Sequence, residues 1–325
     1  MSESPSGAAA ANPRRILVIS TQGLARFVPA LGAMGAIRAH HTDAEIILLT
    51  TRDTAAFAAT APYFDDVWID DSGGALNIAR LRTLRARLIA RPFDRIYDLD
   101  ATAHTRRLFW LMQGWRGLRP HDIAWSGQIA GAALAHDDPQ RDAMHLVDRW
   151  AAQLKIAGIG VILRPDLSWV ARQVTAFAMP FRMHEPFVMI APSSGPGTGW
   201  PGERYADLAR ALDAAGQVPV VVGPDVPGAV THAIVDQCPG AVDLTGAATV
   251  NETVFLAWAA TAAVGPDNGM THLTAAAGCR KVVLYDSASD PALVGQRGDK
   301  VSLLRRPQLT DIPLGEVLAL LEAKI

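Results

Sequence analysis

The sequence predicts an α/β protein of two Rossmann-like halves, each a parallel sheet clothed in helices, facing one another across a cleft. Three observations lead there. Short runs rich in Val, Ile and Leu alternate with longer stretches of helical period from end to end. The pattern loses its period near residues 181–186, beside Pro180 and Pro186, and restarts at Phe187. A length of 325 residues also suits two domains of about 150 residues. The expected layout is a flexible tail over 1–14, a first Rossmann-like domain over 15–180, a second over 187–310 and a closing helix over 311–325.

Taken in order, the apolar run 15–19 reads as a buried strand, 20–26 as a loop and 28–41 as a helix with Ala, Leu, Met and Ile along one side. Residues 44–50 form the second strand, 54–60 a helix, 66–69 a third strand and 78–90 a helix carrying Arg80, Arg82, Arg85 and Arg87. The strand 95–100 and the helix 106–113 follow. Residues 114–141 mix Gly, Pro, His and Asp with Trp115 and Trp125 and read as a binding loop or cover. A helix resumes over 145–157. In the second half, strands are expected at 187–191, 218–222, 241–246, 261–264 and 281–285, with helices at 203–215, 230–237, 251–260, after Gly269 and at 313–323.

Composition narrows the function classes. Half of the residues are hydrophobic, 19% are charged and the formal net charge is −2, which favours packed cores and gives no sign of a nucleic-acid binder. Cys238 and Cys279 are too few for a disulfide framework and have no metal-ligand spacing, so a cytoplasmic setting is expected. No apolar run approaches the roughly 20 residues that cross a bilayer. The arginines of 78–90 would serve either a solvated face or peripheral contact with the cytoplasmic face of an inner membrane.

The chain is organised around residues 264–278. An apolar strand stops at Gly265-Pro266, the polar triplet Asp267-Asn268-Gly269 follows, and a small-residue helix bearing His272 begins. Such a junction places helix N–H groups and the positive dipole end at the carboxyl edge of a parallel sheet, where ligands bind. Asn268 is a suitable N-cap, and Gly269 would let a ligand approach the backbone. Asp267 and His272 can offer a carboxylate and an imidazole to the same volume; an ordinary capped helix with a satisfied histidine has the same spacing. The loops 192–201 and 223–228 should converge on that edge, and their Ser193, Ser194, glycines and Asp225 suit a phosphorylated ligand. Neither a phosphate-loop signature nor a dinucleotide fingerprint is present, and a ligand-free glycine-rich turn would read the same way.

These residues carry a resemblance. Leu244-Thr-Gly246, Glu252, the run 265–278, Val282-Val-Leu-Tyr285 and Ser289-Asp-Pro291 resemble the carboxyl-terminal domain of glycosyltransferase family nine, the ADP-heptose:lipopolysaccharide heptosyltransferases. Ile190-Ala-Pro-Ser-Ser194 with the segment 200–209 is similar to the family's Pro-Gly-Ala and Trp-Pro-x-Glu segment, and 16–24, 42–49 and 94–99 are similar to the start of its acceptor domain. The resemblance implies a GT-B fold and an inverting, metal-independent transfer from a nucleotide-diphosphate sugar to a glycan or glycolipid acceptor, with the sugar nucleotide as substrate and no cofactor. It implies that Asp267 contacts the donor sugar, that Asn268, Gly269 and Met270 line the diphosphate and sugar with His272 nearby, and that Ser193 and Ser194 touch phosphates.

Two positions depart from the family pattern. Its Leu-Gly-Asp triplet, whose carboxylate is the implied base, falls on Leu24-Ala25-Arg26, and its lysine before Trp-Pro is absent because Thr198-Gly199 precedes Trp200. Arginine is no base at neutral pH, but it binds phosphate and could replace that lysine from across the cleft. Asp98, Asp100 and His104, after another first-half strand, are the substitute bases the sequence offers, set against an ordinary surface cluster. The alternatives are a catalytically degenerate binder of nucleotide sugars and a nucleotide-sugar epimerase of the same two-domain plan.

Overall fold

The chain enters its first sheet at the centre. In the computed structural model, which describes residues 14–70, 78–113, 123–174, 181, 185–193, 199–223 and 228–322, β1 (Arg15–Ser20) buries Ile16, Leu17, Val18 and Ile19 completely, as expected of a strand covered on both faces. It leads through α1 (Leu24–His40), β2 (Glu45–Thr50), α2 (Arg52–Ala58), β3 (Asp66–Ile69), α3 (Ile78–Ala90), β4 (Arg95–Asp98), α4 (Ala103–Gln113), β5 (Ala124–Gly127), β6 (Leu134–Ala135) and α5 (Leu146–Ile156). The second half comprises β7 (Phe187–Ile190), α6 (Gly202–Ala214), β8 (Val218–Val221), α7 (Ala229–Gln237), β9 (Val242–Asp243), α8 (Val250–Ala259), β10 (Ala262–Pro266), α9 (Gly269–Ala276), β11 (Lys281–Tyr285), α10 (Pro291–Val294), β12 (Val301–Arg305) and α11 (Leu314–Glu322).

The two sheets have matching plans. Their strand orders are β3-β2-β1-β4-β5-β6 and β12-β11-β10-β7-β8-β9, and the pairings are parallel throughout. Each order reverses direction once, between β1 and β4 in the first sheet and between β7 and β10 in the second. The loops after those four strands therefore border the crevices where α/β sheets hold ligands. This is the GT-B arrangement.

Three local differences from the sequence reading have physical reasons. The helix expected over 28–41 starts at Leu24, so Arg26 lies in its first turn rather than in a loop. Pro29 hides this start, since a proline removes one helical hydrogen bond; α1 accommodates it while burying Phe27, Val28, Ala30 and Leu31. The stretch 114–141, expected as a loop or cover, contains β5 and β6, which extend the sheet. Strands of four and two residues are too short to leave a period. Gly127 in β5 also has a packing reason, because a Cβ there would stand 3.0 Å from that of Asp98. The edge strand β12 was not expected either; its half-exposed residues include Arg305.

Packing joins the halves. One apolar cluster runs from Ile16 and Val18 through Phe27 and Leu31 of α1 to Met270 and Leu273 of α9 and Met189 of β7. Across the same boundary His145 Nε2 lies 2.9 Å from the Gly295 carbonyl, and Arg297 grips Asp148 with contacts of 2.8 and 2.5 Å. The closing helix α11 packs Val317 and Leu321 into the second half's core with Tyr205 and Leu212.

Candidate active site

The loop after β10 is built by local hydrogen bonding. Asn268 Oδ1 accepts from the Thr271 amide at 3.0 Å, and Thr271 Oγ1 stands 3.1 Å from the Asn268 amide, so each side chain caps the other's backbone at the start of α9. Asn268 Nδ2 also donates to the Ala191 carbonyl at 3.1 Å, which ties the loop after β10 to the loop after β7. The expected cap is therefore also a clamp across the crevice of the second sheet. The first-turn amides of Gly269 and Met270 have no acceptor within the helix.

Asp267 is the hub of this half. Ser289 Oγ donates to its Oδ2 at 2.6 Å, while His272 Nε2 at 3.1 Å, Gln296 Nε2 at 3.2 Å and the Tyr285 hydroxyl at 3.3 Å surround its Oδ1. Burial alone would raise the carboxyl's pKa, but hydrogen bonds from His272 and Ser289, the charge of His272 and a further bond from Gln296 hold it below the ordinary value. Tyr285 and Ser289 stand in segments that resemble the family, but nothing local in the sequence pairs them or Gln296 with Asp267, because they come from β11 and the segments that follow it. His145, the N-cap of α5, reaches the same neighbourhood from the first half, close enough to His272 for the two rings to interact electrostatically.

Gly269 also has a packing reason to lack a side chain. A Cβ at Gly269 would stand 2.9 Å from Leu24 Cβ and 3.2 Å from the Ala25 amide, so the backbone that approaches here is α1 of the facing half. Met270 is 4% exposed and packs its side chain in the apolar cluster, leaving its amide as the group that can face a ligand. Ser193 is half-buried, and a Cβ on Gly199 would stand 3.4 Å from its own Cβ. Ser194, Thr198 and Asp225 lie outside the described residues. Trp200 is buried against Tyr205 and donates its indole N–H to the Ile312 carbonyl at 2.9 Å, and Glu252 completes the cap of α8, accepting from the Thr249 amide at 2.7 Å. Those two motif residues hold the scaffold.

In the first half, α1 begins at Gly23, whose φ of 71° suits glycine, with no side-chain cap and no acidic residue in its first turn. Its partial positive charge is uncompensated by its own residues. Arg26 in that turn is partly exposed, and its guanidinium pairs with no side chain among the described residues. Through the contact of Leu24 with Gly269, two helix N-termini and a free guanidinium meet between the two sheets.

The three substitute bases are each engaged. Asp98 is fully buried; its Oδ1 accepts from the Asp100 amide at 3.1 Å and the Ala101 amide at 3.0 Å, and its Oδ2 has no partner. Burial pushes its pKa up to about 6, yet the carboxylate presents no surface to an acceptor. Asp100 Oδ2 accepts from both the amide and the hydroxyl of Thr21 at 2.6 Å, tying the loops after β1 and β4 together. His104 Nε2 lies 2.7 Å from the buried Asp70 carboxylate, whose hydrogen bond raises the imidazole's pKa. Among the described residues, no group of three or more His, Cys, Asp or Glu is arranged to hold a metal ion.

This assembly sets two parallel sheets side by side, with the starts of α1 and α9 meeting at their boundary. Residues 81–311 match the family model for glycosyltransferase family 9 (heptosyltransferase), and the chain belongs to that family. It is similar to solved structures over nearly its whole length. The Escherichia coli heptosyltransferase WaaC with ADP is 17% identical, with 96% of this chain and 100% of that one covered at a TM-score of 0.73. The E. coli ADP-heptose lipopolysaccharide heptosyltransferase II is 21% identical, with 95% and 99% covered at 0.70. A family 9 glycosyltransferase from Veillonella parvula is 16% identical, with 96% and 98% covered at 0.72. No match was found among curated protein sequences.

Proposed function

We propose that this glycosyltransferase moves a heptose-like sugar, with inversion and without a metal ion, from an ADP-activated or related nucleotide-diphosphate donor to a lipopolysaccharide-type acceptor. The observation that carries the reading is the meeting, between the sheets, of the α9 start, the α1 start and Arg26, which has no side-chain partner among the described residues. The similar WaaC was solved with ADP and with ADP-2-deoxy-2-fluoro heptose, which supports this donor class. The diphosphate is assigned to the amides of Gly269 and Met270 and to the Ser193 and Ser194 hydroxyls, with Arg26 reaching it from the facing half. Asp267 contacts the sugar with the capacity its partners leave, and His272 is held beside it.

During transfer the acceptor oxygen bonds to the anomeric carbon as the bond from that carbon to the diphosphate breaks. The electron pair leaves with the diphosphate, whose growing charge the helix dipole, the amides and Arg26 stabilise. One feature supports peripheral contact with the cytoplasmic face of an inner membrane: α3 and α4 pack together with Arg82, Arg87, Arg106, Arg107 and Trp110 exposed.

One observation favours a second reading, a binder without turnover: the first turn of α1 carries Arg26 and no carboxylate. Incubation of the protein with ADP-heptose and lipopolysaccharide core acceptors, followed by mass spectrometry, decides between them. A heptose mass increment on the acceptor supports transfer. Donor binding without any increment supports the binder.

A further inference from the structure

We propose that Asp53, at the start of α2, is the general base of this transferase, supplying from the neighbouring helix the carboxylate that the first turn of α1 lacks. The inference rests on the transfer reading above and deepens it.

The geometry centres on Gly23. A Cβ built there would stand 3.4 Å from Asp53 Oδ2, so this carboxylate occupies the space into which a side chain at the start of α1 would project. The next residue, Leu24, makes the contact with Gly269 at the start of α9. With consecutive Cα atoms ~3.8 Å apart, this path of contacts places Asp53 Oδ2 no more than about 16 Å from the Gly269 amide assigned to the diphosphate, a span that an anomeric carbon and an acceptor hydroxyl can occupy. The position lies at the carboxyl edge of the first sheet, where the chain leaves β1 for α1 and β2 for α2.

The other carboxylates of the region are occupied. Asp98 is sealed from solvent, Asp100 is bound by Thr21, Asp70 holds His104 and Asp267 holds four partners. Asp53 differs from all of them in being exposed and in having no hydrogen bond or ion pair among the described residues. Placed beside the uncapped start of α1, it also complements that helix's dipole. In the transfer step Asp53 takes the hydroxyl proton of the acceptor as its oxygen bonds to the anomeric carbon and the diphosphate departs with the electron pair. The exposed carboxylic acid then returns the proton to solvent.

The test compares wild type, Asp53→Asn and Asp53→Gly with ADP-heptose and a lipopolysaccharide core acceptor, alongside calorimetric titration with ADP. Asp53→Asn is expected to lower kcat by about 10²–10⁴-fold while the KM for donor and the ADP affinity stay within twofold. Added formate should restore part of the rate in Asp53→Gly, which a purely structural role would not allow. An active wild type with an Asp53→Asn variant within threefold of its rate overturns the assignment and leaves the transfer reading standing. A wild type that transfers nothing while binding ADP overturns the transfer reading and this assignment with it.

Discussion

Replacing Asp267 by alanine tests whether this carboxylate is the structural hub of the donor half, and the size of the effect follows from its four partners. The Tyr285 hydroxyl keeps the Gln296 Oε1 bond at 2.7 Å and Gln296 Nε2 keeps Thr271 Oγ1 at 3.4 Å, so neither is left unbonded. The uncompensated losses are the short Ser289 contact at 2.6 Å and the His272 contact at 3.1 Å, the latter from a ring only 7% exposed. Hydrogen bonds to a charged group contribute roughly 1.5–3 kcal/mol each, and relief of the carboxylate's desolvation offsets part of that, so Asp267→Ala should cost about 3 kcal/mol. Asp267→Asn keeps the shape and one acceptor and should cost about 1 kcal/mol. Urea unfolding at neutral pH measures both, through a lower midpoint at constant slope. An alanine variant within ~0.5 kcal/mol of wild type would refute the hub, since ordinary surface substitutions fall in that range.

Two further outcomes follow from buried groups. His41 is 1% exposed with Nε2 2.7 Å from the Tyr97 hydroxyl, and burial together with the charges of His40, Arg95 and Arg38 lowers its pKa to about 4. Because the folded value lies below the unfolded one, stability is retained above about pH 6.5 and falls as pH drops toward 4, by roughly 3 kcal/mol in total. His41→Gln should remove this component from urea midpoints measured between pH 7 and 4. Gly269→Ala forces a methyl to 2.9 Å from Leu24 Cβ and should cost about 1–3 kcal/mol by pushing α1 from α9, detectable as a lower thermal midpoint and weaker ADP binding.

How much of this was legible depended on range along the chain. Asn268 could be recognised as a cap because its partner Thr271 is three residues away, and the alternation of strands and helices gave two parallel sheets because each period is local. The packing at Gly269 was not legible, because the space a side chain would fill is taken by Leu24, nearly 250 residues earlier in the chain. Asp98 looked like an available acid at a strand end, and only the packing of Trp125, Gly127 and α5 around β4 shows that it is sealed. Pro29 concealed the first turn of α1 and with it the helical placement of Arg26. Asp53 drew no notice in the sequence, since its neighbour Gly23 lies on another element and belongs to no shared motif.

The most direct test of the donor site is calorimetric titration of ADP-heptose into wild type and Arg26→Gln. Wild type is expected to bind, and the variant to bind with affinity about 10–100-fold lower, equivalent to ~1.4–2.8 kcal/mol for one lost charged phosphate contact. Equal affinity in the two proteins, or no binding by wild type, would contradict a diphosphate held between α9 and Arg26.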